Sequence, residues 1–397
     1  MGTSTSNVGR GRIRWAVLAM AAFLGLAGLL GAPGAARGGF VVNDLGPLPG
    51  GTSSAGFGIN MGGQVCGTGL LGDTTSRAFL GGGSSISSLG TLSGGANSNG
   101  YAINDAGRVA GTSDVRIGPG DFRTHAFRTD EHGKLQDFGA FGRDFASAAL
   151  AMNASGTIAG TSGGGTFTRA VIATAPSAFT DLGTLGGQNA AATAINDGNV
   201  VAGWSQVASG AHVAFRTSAN GLQSLGTLNG LGSSEATGIN QAGDVVGFSG
   251  QGDASRAFLS RIDTPGLVEL GLLPSATSAI AHAINDRRRV VGEAGFTSGP
   301  SHAFLYDAAS PNGLYDLNDL IDPRLDITIL SATGINGRSM IVGTARVGSS
   351  MHAVLLTPEG RSIFDPFAVP EPPAALLLAV GGIGAAAWRR RALRRPA

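Results

Sequence analysis

The sequence predicts an all-β chain folded as a seven-bladed β-propeller, carrying an N-terminal signal segment and a short C-terminal transmembrane helix. Three observations lead there: an internal repeat present seven times, a composition dense in Gly with few helical patterns, and a spare strand ahead of the first repeat. The repeat is anchored on Asn60, Asn104, Asn153, Asn196, Asn240, Asn285 and Asn336, at intervals of 44, 49, 43, 44, 45 and 51 residues. Each follows Ile, or Met152 in one copy. Five positions after each Asn comes Val or Ile, and seven positions after it comes Gly67, Gly111, Gly160, Gly203, Gly247, Gly292 or Gly343.

Asn closes an Asx turn and tolerates left-handed backbone, a Gly after it takes positive φ, and β-branched Val restarts an extended strand. The segment around each Asn is therefore expected to be a hairpin. The later Gly falls inside the second strand, where Gly marks a backbone or sheet that comes very close.

Two further anchors keep step and supply a third and a fourth strand. One is a His-Ala-Phe-like triad, as in Arg77-Ala78-Phe79, His125-Ala126-Phe127, His302-Ala303-Phe304 and His352-Ala353-Val354. The other is a Leu-Gly segment, as in Asp44-Leu45-Gly46, Asp137-Phe138-Gly139 and Asp181-Leu182-Gly183. Four short strands per copy fit the blades of a propeller; a stacked β-solenoid has shorter coils, and a two-sheet sandwich leaves the seven copies unexplained. Residues Phe40 to Leu45 form a strand with no repeat before it. It is expected to complete the seventh blade and so protect the sheet edges. Over roughly residues 40 to 360 the chain resembles the HAF-repeat family of extracellular bacterial proteins, a resemblance that implies export.

Composition excludes several classes. With 67 Gly in 397 residues but only 16 Pro and no strict triplet period, the chain is not collagen. At 42% hydrophobic and 13% charged it is not a disordered chain either. The formal charge of +1 hides two basic ends. Arg10, Arg12, Arg14 and Arg37 stand in the first 37 residues, five Arg stand after Glu371, and the body between holds 18 basic against 25 acidic residues. An acidic body argues against nucleic acid, whose affinity comes from Lys and Arg.

Residues 1–37 read as a Sec-type signal peptide: charged start, apolar Trp15 to Gly31, then small residues near Gly34 and Ala36. An uncleaved N-terminal anchor is the alternative, and both place the body outside. The tail, 367–397, carries Val369, Pro370, Glu371 and Pro372, an uncharged stretch from Ala374 to Trp388, and then Arg389, Arg390 and Arg391. Fifteen helical residues rise about 22 Å, short of a hydrocarbon core of about 30 Å, so Trp388 and the Arg side chains would have to reach the interface. Positive charge at that end marks the cytoplasmic side.

The order of motif, helix and Arg cluster is similar to the PEP-CTERM sorting tail of Gram-negative bacteria. That resemblance implies recognition of Val369, Pro370, Glu371 and Pro372 by an exosortase-type membrane transpeptidase. It also implies an envelope associated with exopolysaccharide or biofilm.

Between the ends, residues 38–366 form the propeller, and its chemical motifs have repeat explanations. Gly67 to Gly72 fits G-x-G-x-x-G but lacks the following helix that a cofactor site needs. Gly160 to Gly164 fits G-x-S-x-G, yet Ser162 is in phase with Ser113 and Ser205. His125, His302 and His352 exchange with Arg77, Arg169 and Arg256, which indicates a structural donor, since Arg cannot bind zinc. His132, His212 and His282 fall at unrelated phases.

The Asn/Asp-Gly turns lack the spacing of a Ca²⁺ loop. Cys66 is expected in the core, and Arg287-Arg288-Arg289 in a solvated turn or as a local anion contact. The long spacers, Asp114 to Thr124 and Tyr306 to Asp326, are the candidate places for grafted function; the latter holds Asp307, Asp316, Asp319, Asp322 and Asp326, whose preferred reading is a solvated, turn-rich insertion. No catalytic, cofactor-binding or metal-binding residue is assigned and no cofactor is expected. The expected function is an exported, non-enzymatic binding or structural propeller that meets the Sec export machinery, the exosortase-type enzyme and extracellular polysaccharide or protein. The alternatives are a secreted polysaccharide hydrolase or lyase using the Asp residues of 306–326, and an inert matrix component.

Overall fold

The computed structural model describes residues 39–229, 231–310 and 313–359. The signal peptide, the Val369 to Pro372 motif, the Ala374 to Trp388 stretch and Arg389 to Arg391 lie outside the described residues. Among the described residues no helix is long and apolar enough to cross a membrane.

The chain forms seven antiparallel four-stranded sheets in sequence order. Blade 1 runs through Gly51–Ile59, Val65–Leu71, Ser76–Gly82 and Ser85–Gly90, and blades 2 to 6 start at Ser98, Ala146, Gly186, Ser234 and Ala276. The seventh is composite. Ile327–Ile335, Ile341–Val347 and Ser350–Pro358 are joined by the N-terminal strand Phe40–Asp44, paired from Phe40 opposite Pro358 to Asp44 opposite Val354. The strand predicted to close the ring does so. Its first residue, Phe40, sits beside the chain exit, where the Glu359 N–H donates to the Gly39 carbonyl at 2.8 Å.

The apolar core is divided among the blade junctions. Val342, Ala353 and Leu355 of blade 7 pack on Val65 and Phe79 of blade 1, and an equivalent cluster fills each following junction. Alternation along the third strand explains the triads. Ala126 faces blade 3 while Phe127 faces blade 1, so each triad contributes to two junctions. Phe79, Phe127, Phe215, Phe258 and Phe304 are fully buried, each burial stabilising by about 1.5–3 kcal/mol.

The Gly of the second strand has a physical cause. Each innermost strand carries a β-bulge opposite that Gly, with Phe57, Tyr101, Leu150, Thr193, Thr237, His282 or Thr333 as the extra residue. The bulge drives a carbonyl over the second strand. A Cβ at Gly67, Gly111, Gly160, Gly203, Gly247, Gly292 or Gly343 would stand 1.8–2.1 Å from that oxygen, closer than any real contact. Only Gly fits.

The Asn hairpins form as the sequence predicts, and they also do something it did not reveal. Each Asn Oδ1 accepts the N–H four residues on, as from Gln64, Arg108 and Thr157. Each Nδ2 crosses to the next blade and donates to the following Asn's backbone carbonyl: Asn60 to Asn104 at 3.1 Å, then around the ring until Asn336 returns to Asn60 at 2.9 Å. Seven buried side chains thereby make one closed circuit at one end of the axis.

Candidate functional site

The seven innermost strands enclose an axial cavity of about 270 Å³. Towards the Asn circuit it is collared by Ile59, Ile103, Met152, Ile195, Ile239, Ile284 and Ile335. The bulge residues line it unequally. Thr193, Thr237 and Thr333 each donate to a carbonyl of the next blade at 2.7 Å. Tyr101 and Leu150 line it on blades 2 and 3, and the ring of Phe57, the bulge residue of blade 1, lies 5.7 Å from that of Tyr101. His282 is the one histidine, and no Asp, Glu, Lys or Arg stands beside it, among the described residues of the cavity wall; it lies 3.8 Å from Glu293. Contact with His282 holds the Glu293 carboxyl below its ordinary pKa against the effect of burial.

The opposite end of the ring carries the crossovers between blades and the hairpins between second and third strands. There, between blades 4 and 5, lies a larger cavity of about 520 Å³ lined by Gly210, His212, Leu231, Gly232, Gly250 and Gln251, among others. The imidazole of His212 is fixed twice. Trp204 stacks on it with centroids 4.1 Å apart and planes 7° from parallel, and Glu235 meets its Nδ1 at 3.0 Å. Bonded to a carboxylate, Nδ1 carries the proton, so the neutral ring has its lone pair on Nε2. Nε2 has no hydrogen-bond partner among the described residues.

No protein-family profile matches the chain, and no curated protein does. Among solved structures it is similar to a streptogramin B lyase, with TM-score 0.47 and 10% identity over 81% of this chain and 98% of that one. It is similar also to the β-propeller domain of the Trilobed protease from Pyrococcus furiosus, with TM-score 0.43 and 10% identity over 83% of this chain and 98% of that one. A gluconolactonase from Xanthomonas campestris follows with TM-score 0.37 and 12% identity over 83% and 93%. These likenesses concern the fold alone.

The groups singled out in the sequence fall mostly into the frame. Ser162 is buried, accepts from the Phe141 N–H at 2.9 Å and donates to the Ala146 carbonyl at 3.3 Å. Ser113, Ser205 and Ser249 receive the equivalent N–H in their own blades. The first side chain of the triad meets the acid of the Leu-Gly segment: His125 with Asp137 at 2.9 Å, Arg169 with Asp181 at 2.8 Å, His302 with Asp316 at 2.7 Å and His352 with Asp44 at 3.0 Å. Where Ser88 replaces the acid, Arg77 turns to the Ser76 and Ala96 carbonyls. Burial pushes the Cys66 thiol up to about 12, as suits a core residue.

Arg287-Arg288-Arg289 corrects the reading as a solvated turn, for only Arg287 is exposed. Arg288 reaches buried Asp244 of blade 5 at 2.7 Å, and buried Arg289 reaches Asp307 at 2.9 Å and the hydroxyl of Ser339 in blade 7 at 2.6 Å. Three blades are tied by two of the three guanidinium groups.

In the 306–326 spacer, Asp307 is thus paired, Asp316 holds His302 and caps Asn318, and Asp322 binds Arg324 at 2.6 Å. Asp319 and Asp326 are exposed, and none of the five lines the axial cavity. Sequence reasoning did not single out Trp204 or Glu235, and it noted His212 only as a histidine at an unrelated phase. Their signal was available as departures from the repeat: position 204 is Thr in four other copies, and position 235 is Ala in three.

Proposed function

We propose that the chain is an exported, non-enzymatic propeller of the cell envelope or extracellular matrix that acts by binding. In this reading residues 1–37 send it through the Sec machinery. The stretch from Ala374 to Trp388 and the Arg cluster hold it at the inner membrane until an exosortase-type transpeptidase cuts at Val369 to Pro372.

One observation carries the reading. The ring opens and closes at a single point, with Phe40–Asp44 against Ser350–Pro358 and Glu359 bonded to Gly39, so both address segments attach outside every blade. Trimming either one leaves each frame bond in place. The non-enzymatic part is supported by the engagement of Ser162, of the triad His and of most of the spacer Asp in the frame. The test is the mass of the mature chain in producing cells, together with turnover of extracellular polysaccharide. Wild type should lose its tail and the double variant Pro370→Ala, Glu371→Ala should keep it. Equal masses would remove the sorting claim, and turnover by the purified chain would restore the hydrolase or lyase reading.

A further inference from the structure

We infer that the groove between blades 4 and 5 is a binding site for a neutral saccharide segment, with His212 Nε2 accepting a hydrogen bond from a sugar hydroxyl; this deepens the binding function proposed above and rests on it. Three residues that depart from the repeat converge on this one place. Glu235 fixes Nδ1 of His212 at 3.0 Å, and Trp204 covers one ring face. The remaining ring nitrogen is a pre-oriented acceptor beside a cavity of about 520 Å³, a volume inside the usual range for small-ligand sites.

The other lining groups define the chemistry. Gln251 is exposed, and its amide makes no hydrogen bond among the described residues, so it offers both a donor and an acceptor. Leu231 supplies an apolar wall, while Gly210, Gly232 and Gly250 let a ligand approach the backbone. No Lys or Arg lines the cavity, which disfavours an anion. No Asp or Glu lines it either, and the Glu235 carboxylate is already bonded to His212, which disfavours a cation. What remains is a neutral ring that both donates and accepts, with an apolar face: a pyranose.

The frame does not need this construction. The blade junction itself is held by Ser234, which receives the Ala214 N–H and donates to Gly226. At Gly232 an added Cβ would meet nothing within 4 Å and needs no positive φ, so a side chain can start into the groove from there without strain at the backbone.

The experiment is calorimetric titration of the full chain with cellotetraose, maltotetraose and a tetra-uronate, on wild type, His212→Gln and Gly232→Phe. All three proteins must first melt at the same temperature; should His212→Gln fold poorly, Gly232→Phe alone decides. The expected result is binding of a neutral tetrasaccharide, weakened about tenfold by His212→Gln, as for loss of one oriented hydrogen bond, and abolished by Gly232→Phe. Equal neutral-saccharide binding in all three proteins would overturn this site and leave the binding function elsewhere on the ring. Binding of the tetra-uronate alone, or of none of the three probes, would overturn the ligand class. A chain that is exported and trimmed yet binds none of them separates this failure from failure of the sorting reading.

Discussion

The two ends of the ring are built from the same strands and are held together differently. At the Asn end all seven junctions use one device, a side-chain amide donating to the next blade's carbonyl. At the crossover end, Ser54, Ser98, Ser147 and Ser234 bridge an Ala N–H and a Gly carbonyl of the preceding blade at four junctions. Ala190, Ala279 and Leu330 occupy the same position at the other three. An invariant end fixes the closure. The variable end is where a blade can depart from its neighbours, and there the Trp204, His212 and Glu235 construction stands.

Removing the clasp should have the largest effect on this contrast. Deleting residues 40–46 strips blade 7 of its outer strand and takes away buried Phe40 and Leu45. Thermal unfolding followed by circular dichroism should fall by on the order of 10 °C or more, or lose its cooperativity. An unchanged melt would mean the ring does not depend on closure.

Next comes the Gly row. Gly111→Ala places a Cβ 1.9 Å from the Asn99 carbonyl and should cost about 3 kcal/mol or more in denaturant titration, whereas Gly232→Ala should be close to neutral. Within the Asn circuit, Asn153→Asp keeps the turn acceptor but loses the bond to Asn196 at 3.3 Å. A loss of about 1–3 kcal/mol is expected for stranding a buried group, measurable against Ser98→Ala at the other end, where about 1 kcal/mol is expected. Equal losses at both ends would erase the distinction between them.

Acid should act on the Arg-tied junction. Burial pushes the Asp244 carboxyl up, but hydrogen bonds from Arg288, the Ile262 N–H and Asn240 outweigh it and hold its pKa below 3.8. A depressed carboxylate stabilises the fold above its unfolded pKa, and that stability is lost as pH falls through the lower folded value. Stability should therefore drop below about pH 4, and Asp244→Asn should flatten that acid limb. The smallest effect is a gain: Ala190→Ser supplies the missing crossover bridge and should change stability by less than about 0.5 kcal/mol.

The fold was legible because the repeat carries its own alignment. Asn, Val and Gly at fixed offsets located every hairpin, and the unmatched Phe40 to Leu45 strand announced the closure. The Asn circuit was harder to see, since its bonds join residues a full repeat apart and turn chemistry alone explains an Asn. Yet an Asx turn accepts Asp equally well, so seven Asn without one Asp already called for a donor. Arg288 and Arg289 misled because a run of like charges at a turn normally faces water; their acids, Asp244 and Asp307, come from other strands. The groove was missed for a different reason: three single departures at positions 204, 212 and 235 become one site only when two blades are side by side.

The composite seventh blade also has a mechanical consequence. The chain that would lead to a tether leaves from Ser350–Pro358, a strand flanked on both sides, by Ile341–Val347 and by Phe40–Asp44. Tension drawn through Glu359 therefore loads two rows of hydrogen bonds in parallel, in shear, and does not peel an edge strand one bond at a time. The edge strand of that blade is Phe40–Asp44, which is not the strand being pulled and acts as a splint, taking its share of the load through one of the two rows.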